Sequence, residues 1–246
     1  MPRNAPFDSP LRGSLRATGM GGLVTAMVAA MVAAACGGGD PGDGDPDAAT
    51  SEDAAADAAR PEAGPARGSF MLTYYWVAAE EDYPGIASED LYASGCQVLD
   101  TVTPGFADAL DLEGTGRLID GRLLNVAGSC GCPRSPCFVV AGPMYPWGIG
   151  VQNRPLVPFR SIAVDRAVIP YGTPLWVAEL DGELVPGDPP WGGFVHDGCV
   201  LAADTGGGIV GAHIDWFVAL RSAYRTLDQR LGLDAVTVHD GGARCP

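Results

Sequence analysis

"SIAVDRAVIPYGTPLWV" (161–177) and "AADTGGGIVGAHIDWF" (202–217) decide the fold. Each carries short β-branched or aromatic runs broken by Gly and Pro, the punctuation of strands joined by tight turns. In the second stretch Asp204 opens a glycine run and Asp215 closes it, eleven positions later. Similar runs recur at 69–77, 137–142, 173–180, 193–204 and 235–240, which predicts an all-β barrel or sandwich. One segment breaks the pattern. In "ALRSAYRTLDQRLGL" (219–233), Leu220, Tyr224, Leu227 and Leu231 fall at helical spacing and Gly232 is placed to end the helix. From Tyr83 to Gly121 the periodicity is weak, which reads as an insertion or long loop.

Taken in order, Asp165, Ile169, Pro170, Gly172, Thr173, Asp204, Thr205, Gly206, Gly207, Ile209, Gly211, Ile214 and Asp215 closely resemble the 3D (three-aspartate) domain family. The opening Thr73-Tyr74-Tyr75 is similar to that family's first barrel strand. The resemblance implies an all-β chain: a six-stranded double-psi β-barrel with one short helix and, here, a disulfide-bearing insertion. This barrel type is related to the C-terminal domain of membrane-bound lytic transglycosylase A and, more distantly, to expansins. It implies peptidoglycan glycan strands as the partner, and Asp215 as the catalytic acid.

That assignment is chemically coherent. Cutting a β-1,4 glycosidic bond needs a proton for the leaving oxygen as oxocarbenium character develops. Burial raises a carboxyl pKa towards the working range, and Asp215 sits among Ile214, Trp216 and Phe217. In a lytic transglycosylase the muramyl 6-hydroxyl attacks the anomeric carbon, so one carboxyl acts as acid and then as base, giving 1,6-anhydro products. Asp204 is the expected supporting catalytic group. Thr73, Tyr75, Asp165, Thr205, Gly206, Gly207 and His213 are the expected substrate-binding set, with Asp165 also suited to capping a turn. Trp147 and Trp191 are candidates for stacking on sugar rings. His196 reads as a hydrogen-bonding histidine. No cofactor or metal is expected.

Two rival readings carry less. "DTG" is the signature of aspartic proteases, but those need one such loop from each half of a symmetric site, and this chain has one. It would have to act as a homodimer. A non-catalytic, expansin-like carbohydrate-binding module keeps the barrel and the acidic groove without cutting.

The amino-terminal quarter reads differently. Residues 1–36 combine Arg3, Arg12 and Arg16 with an uncharged apolar stretch ending "VAAAC", which resembles a lipoprotein signal peptide with Cys36 as the lipidated residue. Residues 37–67 are Gly, Ala, Pro, Asp and Glu with few other types, an acidic tether predicted to be disordered. A flexible chain of that length spans roughly 30 Å. The folded domain is then 68–246. The expected location is the periplasmic face of the outer membrane or the cell envelope, held by the lipid anchor. A formal charge of −15 argues against nucleic acid, and a monomer is expected. Beyond the anchor lie Cys96, Cys130, Cys132, Cys137, Cys199 and Cys245, an even count that after export predicts three disulfides. The expectation is that the Cys130–Cys137 cluster ties its loop to the barrel. Zinc binding by "CGCPRSPC" is the alternative, weakened by the lack of a second ligand pair.

Overall fold

The computed structural model describes residues 60–246. The signal peptide, Cys36 and the tether to residue 59 lie outside the described residues. Six strands close into a barrel in the order β1 (Ala66–Tyr75), β11 (His213–Phe217), β8 (Ser161–Val164), β10 (Val195–Asp204), β9 (Pro174–Leu184) and β12 (Ala235–Asp240). β1 pairs with β11, and β8 with β10, in parallel; the other neighbours are antiparallel. The chain is engaged upstream of residue 68. β1 starts at Ala66, the Gly64 N–H donates to the Asp240 carbonyl at 2.8 Å, and Arg60 pairs with Asp181 at 3.2 Å.

Strand alternation sorts the side chains. Leu72, Ile162, Val164, Leu175, Val177, Val200, Ile214, Trp216, Val236 and Val238 belong to one core with under 6 % exposure each. That buried area is the main stabilising contribution to the barrel. α2 (Arg221–Leu231) packs Ala223, Tyr224 and Leu227 against the same core and stops at Gly232, whose φ of 57° suits glycine.

The region between β1 and β8 is more ordered than a loop. β2 (Ala78–Ala79), β5 (Thr115–Arg117), β6 (Leu123–Gly128) and β7 (Cys137–Val140) form a sheet, and β3 (Glu89–Tyr92) pairs with β4 (Val98–Val102). A second helix, α1 (Pro104–Glu113), corrects the expectation of a single short helix. Its start is chemically marked: the Thr103 side chain accepts from the Phe106 N–H, and Pro104 takes the first turn. Phe106, Ala107 and Leu110 are fully buried against Leu91, Val102 and Leu124, so the insertion has its own core.

The cysteines pair as Cys96–Cys132, Cys130–Cys137 and Cys199–Cys245. This corrects one expectation: the cluster is tied to the turn after β3 through Cys96, so it staples the insertion to itself and not to the barrel. The only grouping of possible metal ligands among the described residues is Cys130, Cys132 and Cys137, and their sulfurs are committed to these bonds. Cys199–Cys245 pins the carboxy-terminal tail to β10. Replacing both with serine is expected to cost about 2–4 kcal/mol in urea unfolding, since the bridge closes a long loop. An unchanged midpoint would show that the tail adds nothing to barrel stability.

Candidate active site

The site is a transverse row across four barrel strands. Thr73 on β1 is in register with Asp215 on β11, Asp215 with Ala163 on β8, and Ala163 with Asp204 on β10. Two strand spacings therefore separate the two aspartate backbones, about 10 Å. Ala163 stands between them and is 3 % exposed. A methyl there leaves the space between the carboxyls open.

Asp204 reaches this row by an irregularity. Ala202 pairs with Ile162 and faces the core, so plain alternation would turn residue 204 inward as well. Instead the register shifts between Ala202 and Asp204, where two β10 steps oppose one step of β8. Such a bulge re-aims the side chain that follows it. The chain returning from the insertion presses on the same point. A Cβ on Gly150 would lie 2.2 Å from the Ala203 carbonyl oxygen, so only glycine permits that approach.

Tyr75, Ala163, Asp204 and Asp215 form the barrel wall of a cavity of about 450 Å³, to which Thr205, Gly206 and Gly207 add the glycine loop. The opposite wall comes from the insertion: Glu113 at the end of α1, Thr115 on β5 and Asn125 on β6. Asn125 is 5 % exposed and fixes this wall, accepting from the Ile149 N–H at 2.7 Å and the Thr115 hydroxyl at 2.9 Å. Glu113 accepts from the Trp76 N–H at 3.2 Å, linking α1 to the exit of β1. The sequence offered no signal for Glu113 or Ala163.

Electrostatics single out Asp204. Burial raises its pKa to about 6, against hydrogen bonds from the Thr205 N–H and the Tyr75 hydroxyl that favour the anion. The Tyr75 hydroxyl donates to Asp204 Oδ2 at 3.0 Å. Burial and the Asp204 charge push the Tyr75 pKa well up, so the phenol stays a donor. Asp215 Oδ1 accepts from the Thr73 hydroxyl at 2.6 Å.

Three residues of the expected substrate-binding set are not among those lining this cavity. Thr73 and His213 stand beside Asp215 and are absent from the cavity lining; the His213 Nε2 lies 2.8 Å from Thr73 Oγ1. Asp165 accepts from the Ala167 N–H at 2.9 Å and the Gly211 N–H at 2.8 Å, tying the turn after β8 to the glycine loop. Those two bonds from Gly211 and Ala167 lower its pKa. His196 is 1 % exposed; its Nε2 meets the Phe159 carbonyl at 2.7 Å and its Nδ1 accepts from the Gly198 N–H, a purely internal role. Trp147 and Trp191 meet edge to face at 6.2 Å beside a separate cavity.

Residues 160–228 match the model of the 3D domain, a stretch that includes both Asp204 and Asp215. The chain is 34 % identical over 86 residues to the membrane-bound lytic murein transglycosylase A of Vibrio cholerae, covering 35 % of this chain and 21 % of that protein. It thus spans about a fifth of the length of the curated relative it matches. Among solved structures, E. coli MltA with bound chitohexaose aligns over 70 % of this chain and 71 % of its own, at 16 % identity and a TM-score of 0.49. The membrane-bound lytic murein transglycosylase of Agrobacterium tumefaciens aligns over 70 % and 73 %, at 16 % identity and a TM-score of 0.43.

Proposed function

We propose that this 3D-domain protein is a lytic transglycosylase. It cleaves the β-1,4 bond between N-acetylmuramic acid and N-acetylglucosamine in peptidoglycan strands and releases 1,6-anhydro products. The carrying observation is that Asp204 and Asp215, on different strands, line one groove with a small residue between them. Sequence kinship to a lytic transglycosylase over 86 residues supports the substrate class.

Asp215 is the general acid and base. Its carboxyl protonates the leaving oxygen, and the muramyl 6-hydroxyl then gives its proton to the resulting carboxylate as it attacks the anomeric carbon. No water enters the bonds made or broken. Asp204, held by Tyr75 and desolvated, supplies a carboxyl that changes charge near pH 6 beside the reacting centre. Its negative form disfavours ionisation of Asp215 and favours the developing cation. Thr205, Gly206 and Gly207 present backbone to the sugar from the loop above the row.

Incubation with purified sacculi, followed by chromatography of the soluble muropeptides, tests this reading. Release of anhydro-muropeptides is expected. Binding to sacculi without release of fragments would favour the expansin-like module instead.

Location follows the same proposal: export, lipidation at Cys36 and tethering to an envelope membrane. Cys36→Ala should then move the protein from the membrane to the soluble fraction with its activity kept, because the acidic tether adds no membrane affinity. An unchanged distribution contradicts the anchor.

A further inference from the structure

We infer that His213 is a positioning residue that acts on Asp215 through Thr73, an inference that rests on Asp215 being the acid. A carboxyl's final torsion is broad, so the rotamer of an aspartate does not by itself fix where its oxygens point. Something outside the side chain has to hold Asp215 while it gives up a proton and takes one back.

Thr73 does this, and the hydrogen count shows why it needs a partner. A threonine hydroxyl has one hydrogen. Here it is committed to Asp215 Oδ1 at 2.6 Å. The Thr73 oxygen can therefore only accept from His213, which must carry its hydrogen on Nε2, 2.8 Å away. The result is a directed chain, His213 N–H to Thr73 O–H to Asp215. Without the histidine, the hydroxyl is free to turn about its own bond and leave the carboxyl.

Strand geometry makes the chain possible. β1 and β11 run parallel with Met71 opposite His213 and Thr73 opposite Asp215. His213 and Asp215 are two residues apart on one strand, so both point to the face on which Thr73 lies. His213 is 7 % exposed, so neither water nor glycan competes for its ring. Burial lowers its pKa, against a hydrogen bond to the Gly208 backbone that favours the protonated ring. The other titratable groups lining the cavity are Asp204, Tyr75 and, from the insertion, Asp111 and Glu113.

Steady-state kinetics on peptidoglycan strands, run as a pH series, provide the test. Thr73→Val keeps the shape and removes the hydroxyl; His213→Phe keeps a planar ring and removes the donor. Each is expected to lower kcat about 10–100-fold with KM unchanged, the range for hydrogen bonds to charged groups. The double variant should be no slower than Thr73→Val alone, because the two act in series. Thr73→Ser and His213→Gln, which restore a hydroxyl and an N–H donor, should recover most of the rate. In Thr73→Val the high-pH limb of activity should move upward, since a donor to the carboxylate is gone. Multiplicative losses in the double variant, a loss expressed in KM, or an unmoved limb would each overturn the chain. A fully active Asp215→Asn would remove the reading beneath it. An inactive Asp215→Asn beside a fully active Thr73→Val would remove the chain alone.

Discussion

Asp215→Asn should retain glycan binding and lose about 10²–10⁴-fold in turnover, the usual contribution of general acid–base catalysis. The amide has the shape of the carboxylate, and its oxygen can still accept from the Thr73 hydroxyl. The row across β1, β11, β8 and β10 is therefore expected to stand. What the amide lacks is a proton to give and a charge with which to take one back. Turnover measured on soluble glycan strands, with binding to sacculi measured in parallel, separates the two. Equal loss of binding and turnover would mean that Asp215 holds the substrate and does not act on it.

Asp204→Asn should change how stability depends on pH. Burial raises the folded-state pKa of Asp204 to about 6, from 3.8. A carboxyl raised in this way favours the folded state while it is protonated. Its contribution is complete below about pH 4 and is lost as pH rises through 6, because the buried group must then ionise or the chain unfold. Two units correspond to about 3 kcal/mol. Urea unfolding between pH 4 and pH 7.5 should show the wild type losing on this order relative to Asp204→Asn. Any cost of mispairing the amide with Tyr75 or Thr205 is the same at every pH and drops out of the comparison. Parallel pH curves for the two proteins would contradict a raised Asp204. In activity, the same substitution should shift the pH profile and reduce the rate less than Asp215→Asn.

Much of this site was legible because strands and turns leave short-range marks. The β-branched runs at 161–165 and 235–240 became β8 and β12 within a residue, and Asp204 and Asp215 come together as the motif implies. What was not legible depends on register. Alternation along β10 predicts a core-facing residue 204, and only pairing with β8 reveals the bulge that turns it out. Ala163 is an ordinary strand alanine in sequence; its place between the aspartates exists only once β8 lies between β10 and β11. His213 and Thr73 are 140 residues apart, and a pattern read along the chain could not show them within hydrogen-bonding distance. α1 was hidden for another reason: its apolar residues do not keep to one face, since Leu112 is exposed while Phe106, Ala107 and Leu110 are buried, and Thr103, Pro104 and Gly114 mark its ends better than any periodicity does. Disulfide partners follow from spatial closeness, so Cys96 could not be matched to Cys132 from spacing.

The central claim is that the substrate's own hydroxyl, and not water, closes the product. Cleavage in H₂¹⁸O, with mass spectrometry of the released muropeptides, measures this directly. Muramyl ends that carry no ¹⁸O, are lighter than hydrolysed ends by one water and resist borohydride reduction are the predicted result. Reducible ends containing ¹⁸O would contradict it, and would require an activated water and a second catalytic carboxylate, for which Asp204 is the one placed in the same row.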